Sequence, residues 1–137
     1  MELVLEYDVK AGDFFSAGEA SSKIKDTLKK LGFNPEIIKK VAIITYEAEM
    51  NIVIHSVGGK IIAKISKEQV EITARDYGPG ILDLELAMTE GYSTAPEDIR
   101  NLGFGAGMGL PNMKKYSDYF NITSSDHTIV KMIVLNE

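Results

Sequence analysis

Tyr46-Glu47-Ala48-Glu49-Met50-Asn51-Ile52-Val53-Ile54-His55 sets two acids, an amide and an imidazole into an otherwise apolar run. The run ends a longer segment, Pro35 to Val57, in which Ile37, Val41, Ile44, Ala48 and Ile52 recur at helical spacing. Ile43, Met50 and Ile54 add apolar surface on other sides, so the segment predicts a central, largely buried helix. Asn34-Pro35-Glu36 supplies a cap, a first-turn proline and an acid, and Gly58-Gly59 ends the helix. Glu47 and Asn51 lie four apart, which stacks them on one face roughly 5–6 Å apart at Cβ. At about 100° per residue both fall on the shoulder of the apolar stripe, with His55 one turn further. A buried carboxylate without a partner costs several kcal/mol, so folding alone does not ask for one there. The alternative is a helix edge that reaches solvent. Glu49 falls on a different face and is expected to be that solvent-facing case.

Outward from this helix, Leu3, Leu5, Tyr7 and Val9 alternate with Glu2, Val4, Glu6 and Asp8 and predict a half-buried strand. Ser16 to Leu31 reads as an amphipathic helix stopped by Gly32. Lys60–Ser66 and Gln69–Arg75 alternate around Lys67-Glu68 as a hairpin. Ile81–Glu90 reads as a short helix, residues 91–109 as a long glycine-rich loop, and Leu110–Tyr119 as a helix. Phe120–Ser124 and Thr128–Leu135 form a second hairpin. Strands grouped in hairpins predict an α+β two-layer sandwich, a mixed, mainly antiparallel sheet with helices on one face, in a single domain over residues 1–137.

Two further features stand out. Asp76 continues the parity of Val70, Ile72 and Ala74, so it points towards the helix layer, and Gly78 and Gly80 after it permit a tight turn and a close approach. A β-turn closed by the aspartate is the simpler account. Gly103-Phe104-Gly105-Ala106-Gly107-Met108-Gly109 then leads into a helix with Pro111 in its first turn, an arrangement whose freed amides suit an anion or phosphate. A flexible surface loop is the alternative. No Lys-Ser/Thr pair follows the last glycine, which excludes a Walker loop, and the spacing is wrong for a dinucleotide fingerprint.

Composition narrows the chemistry. The 137 residues carry 15 basic and 20 acidic side chains, a net charge of −5, which does not suit direct nucleic-acid binding. With no cysteine and only two histidines, disulfide frameworks, thiolate sites and histidine metal cages are excluded. No apolar run reaches the ~18 residues of a membrane span. The acidic start Met1-Glu2-Leu3-Val4-Leu5-Glu6 is unlike a signal peptide, so no membrane association and a cytoplasmic location are expected.

Taken in order, Glu-x-x-x-Asn on a helix, Asp-x-Gly-x-Gly after a strand and a glycine-rich loop before a helix resemble the N-box, G1-box and G2-box of the GHKL (Bergerat) ATP-binding fold. That superfamily groups gyrase, Hsp90, histidine kinases and MutL, and the resemblance covers nearly the whole chain. Tyr46–His55 and Gly91-Tyr92-Ser93-Thr94 are similar to motifs of its anti-sigma-factor serine kinases and of the switch kinases that act on STAS-domain proteins. A free-standing domain is expected; histidine kinases and gyrase- or MutL-like enzymes need further segments. Asp-Phe-Gly and His-Arg-Asp are missing, so the eukaryotic protein-kinase fold is excluded.

The resemblance implies ATP and Mg²⁺ as cofactors. Asp76 would accept the adenine amino group, Gly78 and Gly80 would leave room for the base, and Thr128, in parity with Val130, would complete the adenine site. Asn51 would hold Mg²⁺ through its amide oxygen, phosphate and water supplying the other ligands. Glu47 would be general base towards a serine of a partner. Gly105, Gly107, Met108, Gly109 and Leu110 would close over the phosphates, and His55 either supports the magnesium site or packs. Several family members carry an arginine just before the last glycine pair. Here Arg100 lies well upstream of Gly107-Met108-Gly109, with Lys114 or Lys115 as substitutes. Two functions follow: a Mg-dependent protein serine/threonine kinase acting as anti-sigma factor or switch kinase on a STAS-type (anti-anti-sigma) protein or a sigma factor, or a nucleotide-gated binding module with little or no transfer. Both leave room for a homodimer.

Overall fold

The protein is described by a computed structural model covering residues 2–55, 57–78, 109–124 and 127–137. In chain order the elements are β1 (Leu3–Val9), α1 (Glu19–Lys30), α2 (Pro35–His55), β2 (Gly59–Ile65), β3 (Gln69–Asp76), α3 (Gly109–Tyr116), β4 (Tyr119–Ser124) and β5 (Thr128–Leu135). The five strands form one sheet in the order β1-β2-β3-β5-β4. Every pairing among the described residues is antiparallel, so the mixed character expected of the sheet reduces to a wholly antiparallel one. The expected helix over 81–90 and the loop over 91–108 lie outside the described residues.

Period-two alternation fixes which face of the sheet is covered. Gly59, Ile61, Ala63 and Ile65 of β2, Val70, Ile72 and Ala74 of β3, and Thr128, Val130, Met132 and Val134 of β5 are all buried and share that face. The register aligns them in rows, of which Leu5, Ala63, Ile72, Met132 and Phe120 form one. α2 lies over this face, and its buried residues include Val41, Ile44, Ala48, Ile52 and Val53. α1 packs on α2 through Ile24 and Leu28, while α3 packs on α2 and on β4 and β5 through Leu110 and Met113. At roughly 1.5–3 kcal/mol per fully buried large apolar side chain, this shared core supplies the principal force holding the layers together.

Local chemistry sets the element ends. The Asn34 side chain accepts the Glu36 amide at 2.9 Å, and Pro35 opens α2 as read from the sequence. α1 starts at Glu19, three residues after the expected Ser16, because Gly18 stands at φ 92 in the left-handed region and cannot be part of the helix. It stops where Gly32, at φ 77, lets the Gly32 and Phe33 amides return to the carbonyls of Lys29 and Leu28. The Gly12 amide donates to the Val53 carbonyl at 2.8 Å, tying the chain after β1 to the last turn of α2. Among the described residues no helix is long and apolar enough to cross a membrane.

Candidate functional site

Glu47 and Asn51 stand one turn apart on α2, each partly buried. α3 begins directly against them. A Cβ at Gly109 would stand 3.0 Å from Asn51 Oδ1 and 3.2 Å from Nδ2, closer than a side chain is normally tolerated. Glycine there therefore lets the first turn of α3 rest on the Asn51 amide. Three residues further along α3, the Asn112 side chain is hydrogen-bonded to Glu47. The two helices thus meet in two rungs, Asn51 with Gly109 and Glu47 with Asn112. Burial raises the Glu47 carboxyl above the usual carboxylate range, and the Asn112 hydrogen bond partly opposes that rise.

A second group is built on the sheet. One row of the register runs Val9, Gly59, Asp76, Thr128 and Ser124. Asp76 and Thr128 are therefore side by side at one end of the covered face; parity predicts the face, and the pairing of β3 with β5 adds the adjacency. Asp76 is partly buried and Thr128 buried. Asp76 Oδ1 accepts the Gly78 amide at 2.7 Å, so the aspartate closes its own turn. The Thr128 hydroxyl lies 3.1 Å from Ser124 Oγ. On the other side of Asp76, a Cβ at Gly59 would collide with the Arg75 carbonyl oxygen and come within 3.1 Å of Ile52 Cδ1. Gly59 thus brings α2, at the residue next to Asn51, down onto the sheet beside Asp76. His127 Nδ1 meets the Tyr77 carbonyl at 3.1 Å, closing the same end.

The donor set suits the groups that the motifs imply. An amide oxygen and a nearby carboxylate are hard oxygen ligands of the kind magnesium takes, with phosphate and water completing its octahedron. Among the described residues no group of three or more His, Asp or Glu could hold a metal. A metal at Asn51 would then depend on a bound polyphosphate. The acceptor-only carboxylate of Asp76 matches an exocyclic amine. Leu110 is buried in the core beneath α3. Gly80, Arg100, Gly105, Gly107 and Met108 lie outside the described residues.

One expectation fails. Glu49 does not face solvent: it is 3% exposed, and its carboxylate oxygens accept the amides of Ala20 and Ser21 at 3.2 and 3.1 Å. Its charge is satisfied by the open N-terminus of α1, where Gly18 offers no side-chain cap. Reading the helix wheel without its neighbour could not reveal this. Asn112 and Gly59 were also missed. The only signal for Asn112 was its spacing of three from Gly109.

Residues 16–134 match the family model described as a histidine kinase-like ATPase domain. The serine/threonine-protein kinase RsbT of Bacillus subtilis is 31% identical over 104 residues, covering 73% of this chain and 72% of that protein. The anti-sigma F factor of Pasteuria penetrans is 33% identical over 107 residues, covering 72% of this chain and 68% of its own. The crystal structure of the SiaB-SiaC complex from Pseudomonas aeruginosa contains a chain of the same fold, with a TM-score of 0.59 at 10% identity, over 96% of this chain and 89% of that one. With the three motif positions on a buried helix, a strand end and a helix start as that fold requires, the chain belongs to the family of histidine kinase-like ATPase domains, whose description implies ATP binding.

Proposed function

We propose that the protein is an ATP- and Mg²⁺-dependent protein serine/threonine kinase that works as an anti-sigma factor or switch kinase on a STAS-type partner. The observation that carries the reading is the pair of rungs between α2 and α3, which sets Glu47 and Asn51, one turn apart on α2, together against the start of α3. Asp76 and Thr128 would hold the adenine, and Asn51 would ligate Mg²⁺, whose charge would offset that of the phosphates. Glu47 would take the proton of the partner's serine hydroxyl, a task suited to a carboxylate with a raised pKa. Phosphoryl transfer is mostly positioning and charge neutralisation, so one base beside one metal ligand is sufficient. The names of the two relatives, a serine/threonine kinase and an anti-sigma factor, support the same assignment.

A nucleotide-gated binding module is the second reading. It is favoured by the engagement of Glu47 with Asn112, which ties the base to the helix following the glycine-rich loop. Incubation with Mg-ATP and a STAS-domain protein separates the two. The kinase reading expects phosphoserine on the partner from the wild type and none from Glu47→Ala. Tight ATP binding without transfer selects the binding module.

A further inference from the structure

α2 is apolar on nearly every side: Ile37, Ile38, Val41, Ile44, Met50 and Val53 are all buried. Apolar contacts carry no direction, so directed bonds sharpen the roll that packing gives such a helix. Glu47 and Asn51 need one angle to meet α3. At ~100° per residue, Glu49 lies almost diametrically opposite that pair. From there its carboxylate makes two directed bonds to the amides of Ala20 and Ser21, and the Ser21 hydroxyl returns one to the Ala42 carbonyl at 2.9 Å. A cavity of about 350 Å³ adjoins Glu49, lined also by Tyr7, Ala17 and Val53. Packing alone therefore does not hold the carboxylate in place; the bonds to α1 do. Those bonds satisfy amides that Gly18 leaves without a side-chain cap.

We propose that Glu49 is a positioning residue: by capping α1 from the far side of α2 it fixes the roll of α2 and so aims Glu47 and Asn51 at the start of α3. A roll of about 10° about a helix with a side-chain radius of roughly 5–6 Å moves a tip by about 1 Å. A displacement of that size can cost of the order of 10²-fold in a positioned reaction. The functional consequence rests on the kinase and nucleotide reading above; the geometric claim does not.

The test uses the full chain and two variants. Glu49→Met keeps an unbranched side chain and removes both acceptors, and Glu49→Gln keeps one. Amide correlation spectra of the nucleotide-free proteins are compared at the Asn51 side-chain amide and the Gly109 backbone amide. Both signals move in Glu49→Met and move less in Glu49→Gln. In the same order, the Mg²⁺ concentration for half-maximal ATP binding rises, by about tenfold in Glu49→Met as for other residues that orient a metal ligand. Adenosine affinity stays within twofold of wild type. Unmoved Asn51 and Gly109 signals, with only Ala20 and Ser21 shifted, would reduce Glu49 to a local cap and overturn the proposal. If Glu49→Met does not fold, the same comparison in Glu49→Gln decides. Absence of Mg-ATP binding by the wild type would remove the functional reading, while the spectra of the free protein still judge the geometry.

Discussion

Glu47 keeps its proton to a higher pH than an ordinary glutamate because half-burial disfavours its charge. If it is the base, transfer falls as pH drops through that raised value, since only the ionised carboxylate takes the serine proton. Asn112→Ala removes the bond that opposes the rise, so the acid limb of a pH–rate profile should move to higher pH; an unmoved limb would detach Asn112 from the base. The same shift has a sign for stability. An unfolded Glu47 loses its proton near the ordinary value and the folded one only above it, so the folded state is penalised increasingly as pH rises through that window. Glu47→Gln should therefore melt higher than wild type at neutral pH and lose that advantage in acid. At this scale the sequence was informative where a residue broke a local pattern. Glu47 and Asn51 are polar on the shoulder of an apolar stripe, Asp76 is polar where strand parity wanted an apolar group, and all three are partly buried. Glu49 reads instead as solvent-facing, because the amides that satisfy it lie 28 and 29 positions away, beyond any local reading.

Among the elements, α1 depends most on a borrowed group. Removing its cap by Glu49→Ala strands two amides and should destabilise the protein by about 1–3 kcal/mol, measured by urea denaturation. A fall below about 0.5 kcal/mol would mean that water replaces the carboxylate. The join of β2 to β3 has a different constraint. In Gly59→Ala the new methyl meets the Arg75 backbone and Ile52 together, so strand and helix must both yield. A loss of about 1–3 kcal/mol is expected, as for an overpacked core, with nucleotide affinity falling as α2 lifts from Asp76. The strands were legible because alternation is a local property, and β5 spans the expected residues 128–135. The start of α1 was not, because Gly18 adopts its left-handed conformation beside Tyr46, a tertiary neighbour.

For the molecule as a whole, hairpin grouping indicated a mixed, mainly antiparallel sheet with helices on one face, and the described strands form a sheet that is antiparallel at every pairing. The order β3-β5-β4 was beyond the pattern: it requires α3 and β4 to pass outward before β5 returns beside β3. That return is what sets Thr128 next to Asp76. A site drawn from α2, β3, α3 and β5 should couple ligand binding to global stability. Saturation with Mg-ATP at about 100 times Kd should add roughly 2.7 kcal/mol and raise the melting temperature by several degrees. No shift would place the nucleotide elsewhere or nowhere. The most direct test of the account is calorimetric titration of ATP in Mg²⁺ into the wild type and Asp76→Asn. The account predicts one site per chain in the wild type and an affinity loss of about 1–3 kcal/mol in the variant, the range for a mispaired buried polar group; equal affinities, or no binding by the wild type, would contradict it.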